Sequence, residues 1–313
     1  VEEKLLLNET VYLTVHGSRA YGTHRPDSDR DERGFCILSD PRYYFGFKNF
    51  EQKDAGWSDQ IDRCIFDIRK FFTLALDCNP NIIEILFSDE SDLIICKDAG
   101  RLVRDNREMF LSKKAADKFV GYAMSQLHRM EGHYNWRQNP PEKPTDITFI
   151  KEIALEAGSP NPFRIELESH LFTVMPPAQG SISITHFDKN AFKTANKKYT
   201  QYLDWIKNRN EVRAKLEEEF SYDSKHAMHL IRLLKMGKEI ITTGEVKVRR
   251  PDAPELKDIR NGKFKYPELI NYAQELKNEI GEQVEHSPLP DEPDSKAAEE
   301  LLVNLITATL ARK

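Results

Sequence analysis

His16-Gly-Ser-Arg-Ala-Tyr-Gly-Thr-His-Arg-Pro-Asp-Ser-Asp-Arg-Asp-Glu-Arg-Gly-Phe35 is the stretch from which the rest of the chain is best read. The β-branched and aromatic run Val11-Tyr-Leu-Thr-Val15 predicts a strand leading into it. The chain then turns at Gly17-Ser18 and becomes apolar again at Gly34-Phe-Cys-Ile-Leu38, a second expected strand. Asp29 and Asp31 stand two apart, so an extended backbone presents both carboxylates to one face. Two hard oxygen donors on one face suit Mg²⁺ (or Mn²⁺), which takes carboxylates together with the phosphates of a substrate. Gly17 lets the backbone approach a phosphate closely, Ser18 offers a hydroxyl and an N–H, and Arg19 a fixed positive charge. An Asp-x-Asp alone is common on solvated strands. The order strand, Gly-Ser, Asp-x-Asp, strand is not.

Working outward, Tyr43 to Phe50 is a possible third strand and Asp62 to Phe66 a short further one. Asp67 is placed to cap a helix from Ile68 to Leu76, with Ile68, Phe71, Phe72 and Ala75 at helical spacing. Asn79-Pro80 ends it, and a short helix follows over 81–87. From Lys113 the pattern turns helical: 113–138, 190–220, a helix capped by Asp223 or Ser224 and running to about Ile241, then 266–280. Residues 287–294 form a stiff acidic Pro-rich linker before a terminal amphipathic helix. The expected class is α+β. A small α/β head with a mixed sheet spans 1–112, a mainly helical domain 113–286, and the linker with its helix 287–313.

Composition narrows the possibilities. Lys plus Arg number 46 against 51 Asp plus Glu, a net charge of −5 that excludes a globally basic nucleic-acid-binding protein but leaves room for a local patch. No apolar run approaches the roughly 20 residues of a membrane span, and no signal peptide is visible, so a cytoplasmic protein is expected. Cys36, Cys64, Cys78 and Cys96 are widely spaced and read as thiols in a reducing compartment.

Residues 225–250 hold seven basic side chains against Glu239 and Glu245. On a helix Lys225, His229 and Arg232 fall at i, i+4 and i+7, one face, which suits fixed charge opposite a metal-binding carboxylate cluster. Arg249 and Arg250, just before Pro251, are candidates for contact with a second substrate. No His-Glu-x-x-His string occurs. His226 and His229 lack an evident third ligand and read as packing or substrate contacts. Glu217-Glu218-Glu219 reads as a solvated helix end. The aromatic helix around Tyr199, Tyr202 and Trp205 reads as buried core, with stacking on single-stranded RNA as its alternative.

Gly17-Ser18 followed by Asp29-x-Asp31 resembles the signature of the DNA polymerase β nucleotidyltransferase superfamily. The longer strings 17–22 and 27–31, Ile68-Arg69-Lys70-Phe71 with Asn79-Pro80-Asn81 and Glu84, and the segment from Tyr222-Asp223 through Lys225-His226, His229 and Arg232 resemble the RlaP-type family of bacteria and phages, over roughly residues 11–280. The resemblance implies a metal-dependent transfer of an NMP from an NTP to a hydroxyl acceptor. RNA (a tRNA 3′ end) is the first candidate acceptor and a protein hydroxyl the second. It also implies a third carboxylate on a neighbouring strand, for which Asp62 and Asp67 are the candidates and Asp62 is favoured. In this reading Asp29, Asp31 and Asp62 hold metal, while Gly17, Ser18, Arg19, Lys225, His229 and Arg232 hold the NTP. The rivals are a catalytically silent nucleotide-binding regulator and a nucleic-acid-binding module with structural carboxylates.

Overall fold

The structure, a computed structural model, describes residues 3–58, 61–145, 150–156, 163–167, 170–174, 179, 181–208 and 211–312. The elements in order are α1 (Glu3–Glu9), β1 (Thr10–His16), α2 (Gly17–Tyr21), β2 (Arg30–Cys36), α3 (Arg42–Phe45), β3 (Gln52–Ser58), β4 (Ile61–Asp67), α4 (Ile68–Leu76), α5 (Pro80–Leu86), β5 (Leu93–Cys96), α6 (Asp98–Asp105) and α7 (Lys114–Gln138). After these come β6 (Ile150–Glu156), β7 (Phe163–Leu167), β8 (His170–Val174), β9 (Ser181–Phe187), α8 (Lys189–Lys207), α9 (Glu211–Phe220), α10 (Ser224–Thr243), α11 (Ala253–Arg260), α12 (Tyr266–Gln283) and α13 (Ser295–Ala311). The class is α+β, as expected.

A five-stranded mixed sheet in the order β3-β4-β2-β1-β5 organises the head. Only β2 and β4 run parallel within it. Strand alternation sorts the side chains. Tyr12 and Phe35 point to the face covered by Phe71, Phe72 and Ile83, whereas Leu13, Cys36 and Ile65 join Leu6 in a smaller cluster. Two expectations are corrected here. Residues 43–50 are not a strand: Pro41, in helical conformation, opens the α3 turn, and the strand is the following segment, β3. The helix expected over 190–220 is two helices, α8 and α9, with residues 209–210 between them outside the described set.

The chain divides into two compact units, Val1–His133 with Lys215–Lys313, and Tyr134–Ala214. The boundaries expected at 112/113 and 286/287 therefore cut through the first unit. One core explains why: Tyr12, Phe35 and Phe71 of the head share a buried cluster with Phe119 of α7, Ile231 of α10 and Leu305 of α13. In the second unit β6 pairs with β9 and β7 with β8, strands that helical periodicity does not announce. Its α8 buries none of its residues. Tyr202 and Trp205 instead form a half-buried cluster with Trp136, ring centroids 5.7–6.1 Å apart, so the buried-core reading of this helix does not hold. No helix among the described residues is long and apolar enough to cross a membrane.

Candidate functional site

The carboxylates meet because of strand register. Asp31 on β2 pairs directly with Asp62 on the parallel β4, and with His16 on the antiparallel β1. In-register residues on neighbouring strands are about 4.8 Å apart and share a face. Asp67 is five residues beyond Asp62 on the same strand, so alternation sends it to the other face. There it is buried and caps α4, accepting from the Arg69 N–H at 3.0 Å and from Arg69 Nε at 2.8 Å. Asp29 lies just ahead of β2 and is exposed.

Gly17 shows how tightly the turn is drawn against this pair. Its φ is +65°, and a Cβ placed there would lie 2.2 Å from Asp31 Oδ2. Any side chain would be strained by the backbone and would collide with the carboxylate. Ser18 follows in the single turn of α2, its carbonyl accepting from the Thr23 N–H at 2.8 Å. Arg19 turns back on the loop: Nη2 donates to Ser28 O at 2.8 Å and Nε to Asp29 O at 3.4 Å. Arg19 and Asp29 also line a pocket of ≈ 480 Å³ with Pro26, Ser28 and Ile61.

Arg33, which the sequence reading passed over, stands two residues after Asp31 on the same face. Its Nη2 lies 2.7 Å from Asp62 Oδ2 and 3.6 Å from Asp31 Oδ1, so both carboxylates converge on one cationic group. Burial pushes the Asp31 carboxyl above its usual range. Asp62 and Asp29 push the same way, against the pull of Arg33 and Lys225. A desolvated carboxylate beside two others is held at electrostatic cost unless a cation shares the site.

The same relation brings Lys225, nearly two hundred residues away in sequence, into the field of Asp31. Arg232, Lys235, Lys238, Lys247, Arg249 and Arg250 each pair with an acidic side chain. Arg250 is fully buried between Glu239 and Asp252, so the expectation that it faces a second substrate is corrected, while Arg249 stays half-exposed and pairs with Asp92 at 2.8 Å. Arg232 is buried as well. Its Nη1 bonds Glu84 Oε1, and its guanidinium lies 3.8 Å from the centroid of the Tyr21 ring. Tyr21 donates to the other Glu84 oxygen, and His16 Nε2 is 3.8 Å from it. Arg232 thus braces the floor beneath Gly17 and Asp31. Burial lowers the pKa of His16 to about 4. Burial, followed by Arg232, Lys225, His226 and Arg260, lowers that of His229 well below the ordinary histidine value. Both rings are neutral at neutral pH.

Two further expectations fail on long-range packing. Glu217 is buried rather than solvated, 4.0 Å from His133 Nδ1. His226 does have further potential ligands, in His133 and Asp223. His133 pairs with Glu217 and His226 across more than eighty residues, which leaves no local signal in the sequence.

The two candidate third carboxylates separate by experiment. Asp62→Ala is expected to change unfolding free energy by no more than about 0.5 kcal/mol, because a half-exposed ion pair contributes little. Asp67→Ala is expected to cost on the order of 1–2 kcal/mol through the lost cap. Urea titrations of both variants check this ordering, and the reverse ordering refutes it.

Residues 2–144, a little under half of the chain, match the RlaP family, described as an RNA repair pathway DNA polymerase beta family. This is the family that the 17–31 motif resembles, and the match supports nucleotidyl transfer as the broad chemistry. The chain is 24% identical over 133 residues to an uncharacterised 38.9 kDa protein of Enterobacteria phage T4, from its nrdC-mobD intergenic region. That alignment covers 39% of this chain and 38% of the phage protein, well short of its full length. No solved structure matches the chain.

Proposed function

We propose that the chain is a metal-dependent nucleotidyltransferase that moves an NMP from an NTP to a hydroxyl acceptor, with RNA favoured over a protein hydroxyl. The observation that carries this reading is the Gly17–Asp31–Asp62 arrangement, a side-chain-free turn pressed against one carboxylate whose register partner is another. The family description, an RNA repair pathway, favours RNA as the acceptor.

The residues fit a divalent cation such as Mg²⁺ or Mn²⁺. Asp31 and Asp62 already converge on the Arg33 guanidinium, and Asp29 stands alongside as a further hard oxygen donor. When bound, such a cation neutralises phosphate charge and favours ionisation of the acceptor hydroxyl. The chain's own groups supply the rest. The Gly17-Ser18 turn lets phosphate oxygens approach its backbone, and the Ser18 hydroxyl donates to them. Arg19 keeps Ser28 and Asp29 in place through their carbonyls. Lys225 contributes the fixed charge opposite Asp31, and neutral His229 a hydrogen bond from the same helix face. Arg232 acts as a positioning residue through Glu84 and Tyr21. Asp62, at the solvent-facing side, takes the acceptor proton and releases it to solvent. The acceptor oxygen bonds to the α-phosphorus, the bond from that phosphorus to the α–β bridging oxygen breaks, and pyrophosphate leaves with the electron pair.

Incubation with each labelled NTP, a divalent cation and total RNA or protein tests the reading by label incorporation. Calorimetry tests the site itself. Lys225→Ala is expected to weaken NTP binding by roughly 1.5–3 kcal/mol, the range for a hydrogen bond to a charged group. Lys238→Ala, which breaks a surface pair with Glu279, is expected to leave it unchanged. Equal small losses in both would remove α10 from the nucleotide site.

A further inference from the structure

We infer that the chain holds a second metal site, for zinc, built from His133 near the end of α7, Asp223 at the N-cap of α10 and His226 in its first turn, with Glu217 of α9 beside them. One ligand atom from each of His133, Asp223 and His226 lies within 4.8 Å of the others, close enough for small side-chain rotations to bring all three onto one ion. Glu217 Oε1 lies 4.0 Å from His133 Nδ1, beside the group of three. The site shares no residue with the Asp29, Asp31 and Asp62 group and does not depend on the nucleotidyltransferase reading.

Hydrogen bonding around His226 is the second observation. Gln126 Oε1 lies 2.8 Å from His226 Nδ1, which therefore donates, as the outward nitrogen of a metal-bound histidine commonly does. The other nitrogen, Nε2, lies 3.5 Å from Asp223 Oδ2. Asp223 Oδ1 is meanwhile occupied in capping, accepting from the N–H groups of Lys225 and His226 at 2.9 and 3.1 Å. This fixes the carboxyl group and leaves Oδ2 toward the cluster.

The donors select the metal class. Two imidazoles with carboxylates suit zinc, whereas Mg²⁺ and Ca²⁺ prefer oxygen alone. The thiols do not compete for it: Cys36, Cys64, Cys78 and Cys96 are all pushed by burial toward the protonated form, the opposite of what a zinc thiolate needs. A zinc here ties the end of α7 to the first turn of α10, the turn that carries Lys225.

Chelator-treated full-length protein titrated with zinc against a chromogenic competitor tests the proposal. Equimolar zinc is expected to bind and to raise the melting temperature. His133→Ala and His226→Ala are expected to abolish that binding, and Gln126→Ala to weaken it about 10–100-fold. The double variant Asp31→Asn, Asp62→Asn is expected to keep it. Circular dichroism checks that the histidine variants fold. Should they not, the spectrum of the cobalt-substituted wild-type chain decides: d–d bands of nitrogen and oxygen ligation, with no thiolate charge-transfer band, support the site. Failure of the wild type to retain zinc, stoichiometric binding that survives both histidine substitutions, or a thiolate band overturns it. Retention of the 3.5 Å His226–Asp223 contact as a simple proton-bridged pair is the reading that failure to bind zinc would leave.

Discussion

Asp31→Asn is expected to lower nucleotide transfer by at least about 10²–10³-fold, the scale of losing one preorganised charge contact, while stabilising the folded chain by roughly 0.5–2 kcal/mol. Both effects have one origin. The wild-type carboxyl is buried beside Asp62 and Asp29, and its pKa is raised. A carboxyl that binds its proton more tightly folded than unfolded costs stability once pH exceeds its folded pKa. Below its unfolded value that cost is gone. Asn keeps the shape that fits against Gly17 and removes the charge, and Arg33 retains Asp62 at 2.7 Å. The stability gain should therefore be present at neutral pH and shrink as pH falls toward and below the ordinary carboxylate range. Urea titrations at neutral and acid pH, beside a label-transfer assay, measure both halves. Wild-type turnover in the variant would dismiss the carboxylate site. A stability loss at neutral pH would dismiss the account of Asp31's electrostatics.

The largest stability effect is expected at the floor of the site. Arg232→Ala and Glu84→Ala should each cost about 3–5 kcal/mol, because each leaves the opposite charge buried without its partner. Arg232 and Glu84 are 4% and 0% exposed, so water cannot replace what is lost. The pair Glu84→Leu, Arg232→Met should recover most of the loss, since burying two ions offsets much of their attraction. A double-mutant cycle by urea unfolding measures the coupling. Single losses below about 1 kcal/mol would show the bond to be incidental. Arg232 variants that remain folded should lower NTP affinity only as far as they displace Tyr21 and Gly17, which separates bracing from direct contact.

Much of the head was legible because its signals are local. Asp67 caps α4 and Asp223 caps α10 through bonds to N–H groups two or three residues away, and the helix bounds follow from them. Alternation along β4 separates Asp62 from Asp67 without any tertiary knowledge. What the sequence concealed lies in pairings across long separations. The basic residues of 225–250 look like a free cationic stripe until Glu84, Asp92, Glu239 and Glu279 are found opposite them. Glu217 sits in a triplet of identical residues of which only it is buried, and nothing in the triplet distinguishes it. Arg33 was hidden by its ordinariness, a charged residue on a strand, although its spacing from Asp31 already put it on the same face. The boundary at 113 followed a change from strand to helix patterning, but a change of secondary structure is no edge when one core crosses it.

The way α13 closes the first unit bears on how the chain is made. Ala298 and Leu305 complete the cluster that includes Phe71, Phe72 and Ala75 of α4, and the approach is pinned by Asp294 N–H to Met109 O at 2.9 Å and Lys113 N–H to Pro290 O at 2.8 Å. A ribosome adding ~5–20 residues per second takes on the order of 10–45 s to pass from α4 to α13. Throughout that interval the nascent head has its sheet and α4 but not the helix that packs against α4. Until α13 has been made, the side of α4 that it packs against has no partner. Completion of the head's core is thus timed by translation of residues far along the chain from the carboxylates.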